Sequence, residues 1–318
     1  MSVFERLNSI KSRRNTAGLE KKEKCSPAEI PGGREITGPL GRFLLLECTV
    51  PGSCHYPAPA GGLAENLKLV RGIGPVTEER LKKEGLVNLD SLLSHPRWGS
   101  QALLVKRLIE EKKAAEIRGL GAPDKDLLDF FCLQDIVFLD IESTGLWPGQ
   151  PLFLIGLLYW NGREMEVQQF FARHYSEEKA LLEAVHRRLK AFRVIATFNG
   201  KRFDIPYMEG RSVEHRLFHR YHHFQVDLLH HARRHFSPVL PDCRLATLEE
   251  RVLGVVRKGD IPGHLIPETY HRFIRTRDPG LILPVINHNK TDLLSMTRLF
   301  YLVGEKTAVT DGGEKTGV

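Results

Sequence analysis

Cysteine is scarce in this chain, and none of it is grouped in a binding pattern. The five cysteines, Cys25, Cys48, Cys54, Cys132 and Cys243, are odd in number and irregularly spaced. The absence of a CxxC pair leaves zinc-ribbon and thioredoxin readings without support. Free thiols in a reducing compartment are the simplest account. Cys48, Cys54 and His55 lie close together, but no fourth ligand stands at a standard zinc spacing. Long apolar runs are also lacking. Stretches such as FLLLE after Arg42 are far too short to cross a bilayer, so no membrane partner is expected. The opening MSVFERLNSIKSRRN has no apolar core of a signal peptide, and the expected location is the cytoplasm.

What is present is ordinary globular material with a basic balance. The 318 residues are enough for two domains, or for one large domain with an attachment. Hydrophobic residues at 42% can build a core without disulfide or metal staples. A net charge of +7 suits a polyanionic partner, because Lys and Arg that neutralise phosphates release bound counterions.

The pattern divides the chain. Residues 1–62 read as a basic arm and linker with one strand, GRFLLLECTV at 41–50. Residues 63–118 read as a small all-α domain of short amphipathic pieces broken at Gly72, Gly74 and Gly85, then a longer helix from about Ser100 to Ile117. A linker at 119–133 follows. From 134 the pattern changes to β-branched and apolar runs: DIVFLDIE, PLFLIGLLYW and EMEVQQFF, with an NG turn between the last two. SEEKALLEAVHRRLKAF predicts a helix with Ser176 as N-cap, and RVIATFN predicts another strand. This order gives a mixed α/β sheet with helices packed on it over 134–303. The tail at 304–318 is expected to be disordered.

Three acidic elements carry chemistry. In VFLDIESTGL, side chains alternate along the strand, so Asp140 and Glu142 share a face. Two carboxylates on one face of a buried strand repel and lose hydration, which calls for a cation, although a solvated strand end is the plainer alternative. In FNGKRFDIP, Asp204 stands near the start of a helix, where it either caps that helix or joins the site. Asn199 can hold the preceding turn or hydrogen-bond toward the site. In INHNKTDLLSMTRLF, His288 and Asp292 are four apart and share a helix face, an arrangement that a surface pair also shows. Together, carboxylates of this hard-oxygen type favour Mg²⁺ or Mn²⁺ over zinc. Two such ions roughly 4 Å apart can clamp the attacking water and the leaving oxygen of a phosphodiester, and a neutral imidazole can take the water's proton.

DIESTGL, NGKRFDIP and HNKTD resemble the three exonuclease motifs of the DEDD nuclease superfamily. The segment from about 134 to 302 is similar to its YprB-like, ribonuclease H-like group, as is the stretch LPDCRLATLEERVLGVVRKGDIPGHLIPETY between the second and third motifs. The resemblance covers about half of the chain. It implies a mixed five-stranded ribonuclease H-like sheet and a two-metal 3′→5′ exonuclease. Asp140, Glu142 and Asp292 would then hold the metals, Asp140 bridging them. Asp204 would support the site, and His288 would be the general base. The chain departs from the pattern at one point: family members with a His base place it five before the last Asp, whereas His288 stands at the four-residue spacing of those with Tyr. Asp227 reads as the cap of the following helix, and Asp260 as a loop residue or part of the substrate groove.

A second nucleic-acid signal lies upstream. LVRGIGPVTEERLKKEG resembles a helix-hairpin-helix element, in which Gly72 and Gly74 let the backbone approach a phosphate and the next helix offers free N–H groups. An ordinary helix connection is the alternative. Seven histidines between 211 and 236, among them His215, His219 and His222 at helical spacing, read as a solvated basic face. The expectation is therefore a metal-dependent nuclease acting on nucleic acid. Its rivals are a structure-selective endonuclease on the same fold and a catalytically inactive nucleic-acid-binding adaptor.

Overall fold

The computed structural model describes residues 30–50, 62–257 and 259–309. The N-terminal arm with Cys25, the segment carrying Cys54 and His55, and the end of the tail lie outside them. One seven-stranded sheet organises the described residues, in the order β1-β2-β5-β4-β3-β6-β7. Its strands are β1 (Gly33–Gly38), β2 (Gly41–Val50), β3 (Ile136–Ser143), β4 (Leu152–Trp160), β5 (Met165–Phe171), β6 (Val194–Thr197) and β7 (Phe224–Asp227). β3, β4 and β5 form an antiparallel meander, while β6 and β7 run parallel to β3.

The mixed α/β class is as expected, but the sheet has seven strands where five were expected. The strand read at 41–50 pairs with β5, and it brings a partner, β1, from within the stretch read as a basic arm. GREITG has only one aliphatic side chain, so β1 carries no clear apolar alternation.

Eight longer helices are labelled here: α1 (Pro75–Lys83), α2 (Gly99–Glu110), α3 (Ala114–Gly119), α4 (Glu178–Leu189), α5 (Asp204–Glu214), α6 (Leu228–Phe236), α7 (Ile266–Thr276) and α8 (Pro279–Val309). The helix expected over Ser100–Ile117 is two, α2 and α3, because Lys112 adopts a left-handed backbone with φ 53°. Ser176 is not the N-cap of α4. It sits in a 3-10 turn capped by His174, and α4 starts at Glu178. His215, His219 and His222 share no helix face either, since α5 ends at Glu214 and left-handed Arg216 and Phe218 turn the chain away.

Strand alternation splits the core across the sheet. Val137, Leu139 and Ile141 of β3 face a cluster with α4, α5, α7 and the start of α8. Ile136 and Phe138 face the opposite cluster, with α6 and the later part of α8. Asp140 and Glu142 continue this second set, so they point at α8 where it crosses the sheet. The helices between β2 and β3 pack around a third cluster that includes Leu67, Leu81, Trp98 and Val105. Among the described residues, no helix is long and apolar enough to cross a membrane.

Candidate active site

The carboxyl end of β3 meets α8, beside the turn that follows β6. β3 supplies Asp140 and Glu142, and the turn after β6 leads into α5 at Asp204. That turn needs a left-handed residue, which Asn199 provides at φ 66°. Asp227 locks it: its carboxylate accepts the N–H groups of Asn199 at 2.8 Å and Lys201 at 3.3 Å, and also caps α6 through Leu229 N–H. The cap read from the sequence is thus present, with a second task added.

Asp204 takes the N–H of Ile141. Parallel pairing of β3 with β6 ends at Phe138, which leaves this donor free. Farther along, α5 is fixed by Arg211, whose guanidinium donates twice to Glu178 at 2.6 Å, and Glu178 in turn accepts Leu152 N–H of β4. The position of Asp204 is therefore set by both neighbouring layers.

α8 brings His288, Asn289 and Asp292. Asn289, fully buried, donates from Nδ2 to the Asp140 carboxylate at 2.8 Å, and its Oδ1 accepts from Gln169 of β5 at 2.8 Å. This approach requires Gly156 opposite Asp140 on β4, because a Cβ there would overlap Asn289 Oδ1. Asn289 was missed in the sequence although it stands within HNKTD. Only its contact with Asp140, 149 positions away, marks it.

The electrostatics are one-sided. Burial pushes Asp140 well above the usual carboxylate range, and the charges of Asp292, Glu142 and Asp204 push it further, against the Asn289 hydrogen bond. Glu142 is raised in the same way by burial, Asp292 and Asp204. Asp204 is pushed up to about 7, mainly by burial. Asp292 is raised by burial, although His288 and Arg257 pull it back. All four acids named from the sequence thus come within electrostatic reach of one another.

One cation stands among them that the sequence reading did not single out. Arg257, on the loop before α7, ion-pairs with Asp292 and grips buried Glu249 through Nε at 2.6 Å and Nη2 at 2.5 Å. It also reaches Asp260 at 3.0 Å. His288 Nδ1 lies 2.8 Å from Asp260 Oδ1. A carboxylate below its usual range, as Asp260 is held by His288 and Arg257 against its burial, can only accept. Toward Asp260 the imidazole is the donor at Nδ1, which Arg257 Nη1 also approaches to 3.3 Å, and its other nitrogen, Nε2, lies 3.7 Å from Asp292 Oδ2.

The donor set suits a hard divalent cation: oxygen ligands that are closed over and driven toward protonation by one another. Arg257 occupies Asp292, and among the described residues no group of three or more His, Cys, Asp and Glu is gathered so as to hold a metal. Outside this centre, Gly72 (φ 90°) and Gly74 shape the turn into α1, Gly74 standing at its N-cap and Pro75 at its first position. Glu78 of α1 turns inward to accept Leu67 N–H at 3.1 Å. The histidines between 211 and 236 form no metal cluster among the described residues.

Residues 137–303 match the sequence model of the RNase H superfamily. Over 178 residues, 54% of this chain, the sequence is 33% identical to the uncharacterized protein YprB of Bacillus subtilis, and the match covers 42% of that protein. The chain thus spans less than half the length of that relative. Among solved structures, the family B DNA polymerase of the hyperthermophilic archaeon Pyrobaculum calidifontis aligns at 20% identity and a TM-score of 0.40, over 51% of this chain and 23% of the other. The superfamily match takes in β3 to β7 and α8, the elements that carry all four acids, and the chain belongs to the RNase H superfamily.

Proposed function

We propose that this protein is a metal-dependent nuclease that removes nucleotides from the 3′ ends of nucleic acid, using Mg²⁺ or Mn²⁺. The observation that carries the reading is the meeting of buried Glu142 and Asp204 with half-buried Asp140 and Asp292, each within electrostatic reach of the others. Asp140, Glu142 and Asp292 would hold two divalent ions, with Asp204 supporting them. Such ions, once bound, lower the pKa of the attacking water and offset charge on the phosphodiester.

The chain's own groups do the rest. Asp260 holds the imidazole of His288 so that Nε2 faces the acids. His288 Nε2 takes the water's proton as its oxygen attacks phosphorus, and the bond from phosphorus to the 3′ oxygen of the preceding nucleotide breaks. Asn289 fixes the orientation of Asp140. Leu146 and Trp147, both 76% exposed on the loop after β3, offer apolar faces for a terminal base. Gly72, Gly74 and the exposed side chain of Asn199 would contact backbone phosphates. The grip of Arg257 on Asp292 favours a second reading, an inactive nucleic-acid-binding adaptor.

The test is hydrolysis of end-labelled 3′-overhang DNA, circular DNA and single-stranded RNA with Mn²⁺, comparing wild type with Asp140→Asn. Wild type is expected to release mononucleotides from linear substrates only, and the variant to lose about 10³-fold in rate, the several kcal/mol such charge stabilisation contributes. Cutting of circles would replace the exonuclease by an endonuclease. Binding without cutting under any divalent ion would establish the adaptor.

A further inference from the structure

At the opposite end of the sheet lies an open cleft of about 570 Å³ with the reverse chemistry. It forms where the parallel strands begin, at Ile136, Val194 and Phe224. Four stretches far apart in sequence wall it: the α2–α3 connection, Phe131 ahead of β3, the end of α4 with the turn after it, and the segment leading into β7. Lys112, Arg118, Lys190, Arg193 and Arg220 line it, together with three histidines, and no Asp or Glu does.

The arginines are held from behind. Arg118 pairs with Asp124 at 2.8 Å, Arg193 with Asp135 at 3.6 Å and Arg220 with Glu209 at 3.0 Å. Lys112 and Lys190 are exposed, and neither forms an ion pair among the described residues. The walls are also short of partners: Arg118 Nε, His186 Nδ1 and His223 Nδ1 have no hydrogen bond among the described residues. Burial lowers the pKa of both His186 and His223, so at neutral pH the charge of the cleft comes from Lys and Arg.

The aromatic residues in the cleft exclude one mode of binding. The face of Phe224 is covered by Arg118 at 3.7 Å and that of Phe131 by Arg193 at 4.8 Å. Guanidinium groups occupy the surfaces on which bases would stack, so what remains on offer is positive charge. The volume falls within the range of about 300–1,000 Å³ that holds small ligands, but the cleft is open, which suits a chain passing through.

We propose that this cleft binds the phosphate backbone of a nucleic-acid strand, without reading its bases, as an exosite remote from the acidic pocket. Along β3, Ile136 and Glu142 are separated by roughly 20 Å. A strand whose 3′ end lay at the acids would therefore reach the cleft only with nucleotides well removed from that end. The identification of the strand as substrate rests on the proposed nuclease function; the binding itself does not.

The experiment measures binding of a single strand of about 20 nucleotides to the full chain in EDTA across a salt series. Wild type is compared with Lys112→Gln/Lys190→Gln and with a control of equal charge change, Arg163→Gln/Lys179→Gln. Loss of two phosphate contacts is expected to weaken binding about tenfold at low salt and to reduce the salt slope by about 1 to 2, with the control unchanged. Equal weakening in both pairs would reduce the cleft to general charge and overturn the proposal, as would no change in either. Competition by millimolar inorganic phosphate or free nucleotide at the same site would overturn the strand in favour of a small phosphate ligand. A dinucleotide, too short to span both ends, is hydrolysed equally by wild type and the lysine variant. If wild type hydrolyses nothing, the nuclease reading falls while the binding comparison still decides the cleft.

Discussion

One sheet presents two ends of opposite character. At the carboxyl ends of the parallel strands, Glu142 at 9% and Asp204 at 4% exposure are shut in with like charges, and their pKa values rise. At the amino ends the cations sit in an open cleft, and the half-buried His186 and His223 among them shift downward. Each end resists more of its own charge. The difference lies in how each is relieved: crowded, largely buried acids are relieved by protonation or by a small cation against them, whereas an open basic cleft can take a hydrated, extended anion. Parallel strands make the separation possible, because every crossover delivers its loop to the same end.

Arg257 is where the contrast is sharpest, since it is the fixed guanidinium inside the acidic end. Arg257→Met should lower stability in EDTA by about 3 kcal/mol, because Glu249, 1% exposed, loses its bidentate partner. Added Mn²⁺ should stabilise this variant more than wild type, as Asp292 is freed. Urea unfolding with and without the ion reads both effects, and a loss below about 1 kcal/mol would remove Arg257 from the account.

Gly156→Ala tests the neutral support of the same end. The added methyl displaces Asn289 from Asp140, which should reduce hydrolysis about 10- to 100-fold and stability by about 1–3 kcal/mol. Full activity with the methyl in place would show that Asp140 needs no such hold.

The smallest effect is in pH dependence, and its sign separates the ends. Asp204 titrates at about 7 in the fold against 3.8 in the free side chain, so the folded chain keeps a proton that the unfolded chain has released. Stability from this group therefore declines as pH rises from about 4 to about 7. His186, His219 and His223 are lowered by burial, so the unfolded chain takes their protons first. Their contribution is full above about 6.5 and is lost as pH falls below it. Asp204→Asn should flatten the first slope and leave the second, and Mn²⁺ should do the same in wild type. A slope indifferent to both would show that the acids do not share one pocket in solution.

Much of the acidic end was legible because its signals are short-range. Alternation along a strand puts Asp140 beside Glu142, and helical spacing puts His288 beside Asp292, whatever surrounds them. Asp227 followed from the preference of carboxylates for helix starts. The break at Lys112 and the end of α5 before His215 were not legible, because single left-handed residues interrupt runs whose composition is still helical.

The sequence by itself marked β3, β4, β5 and β6 of the RNase H-like region and named the four acids and the histidine as candidates, since periodicity and motif are local properties of the chain. Only the tertiary structure decided that Arg257 reaches Asp292 across 35 positions, that Asn289 holds Asp140, that β1 and β2 extend the sheet, and that four distant segments line a cationic cleft. Those contacts join residues whose separation along the chain carries no periodic signal, and it is the packing of α8 and the N-terminal helices against one sheet that brings them within reach.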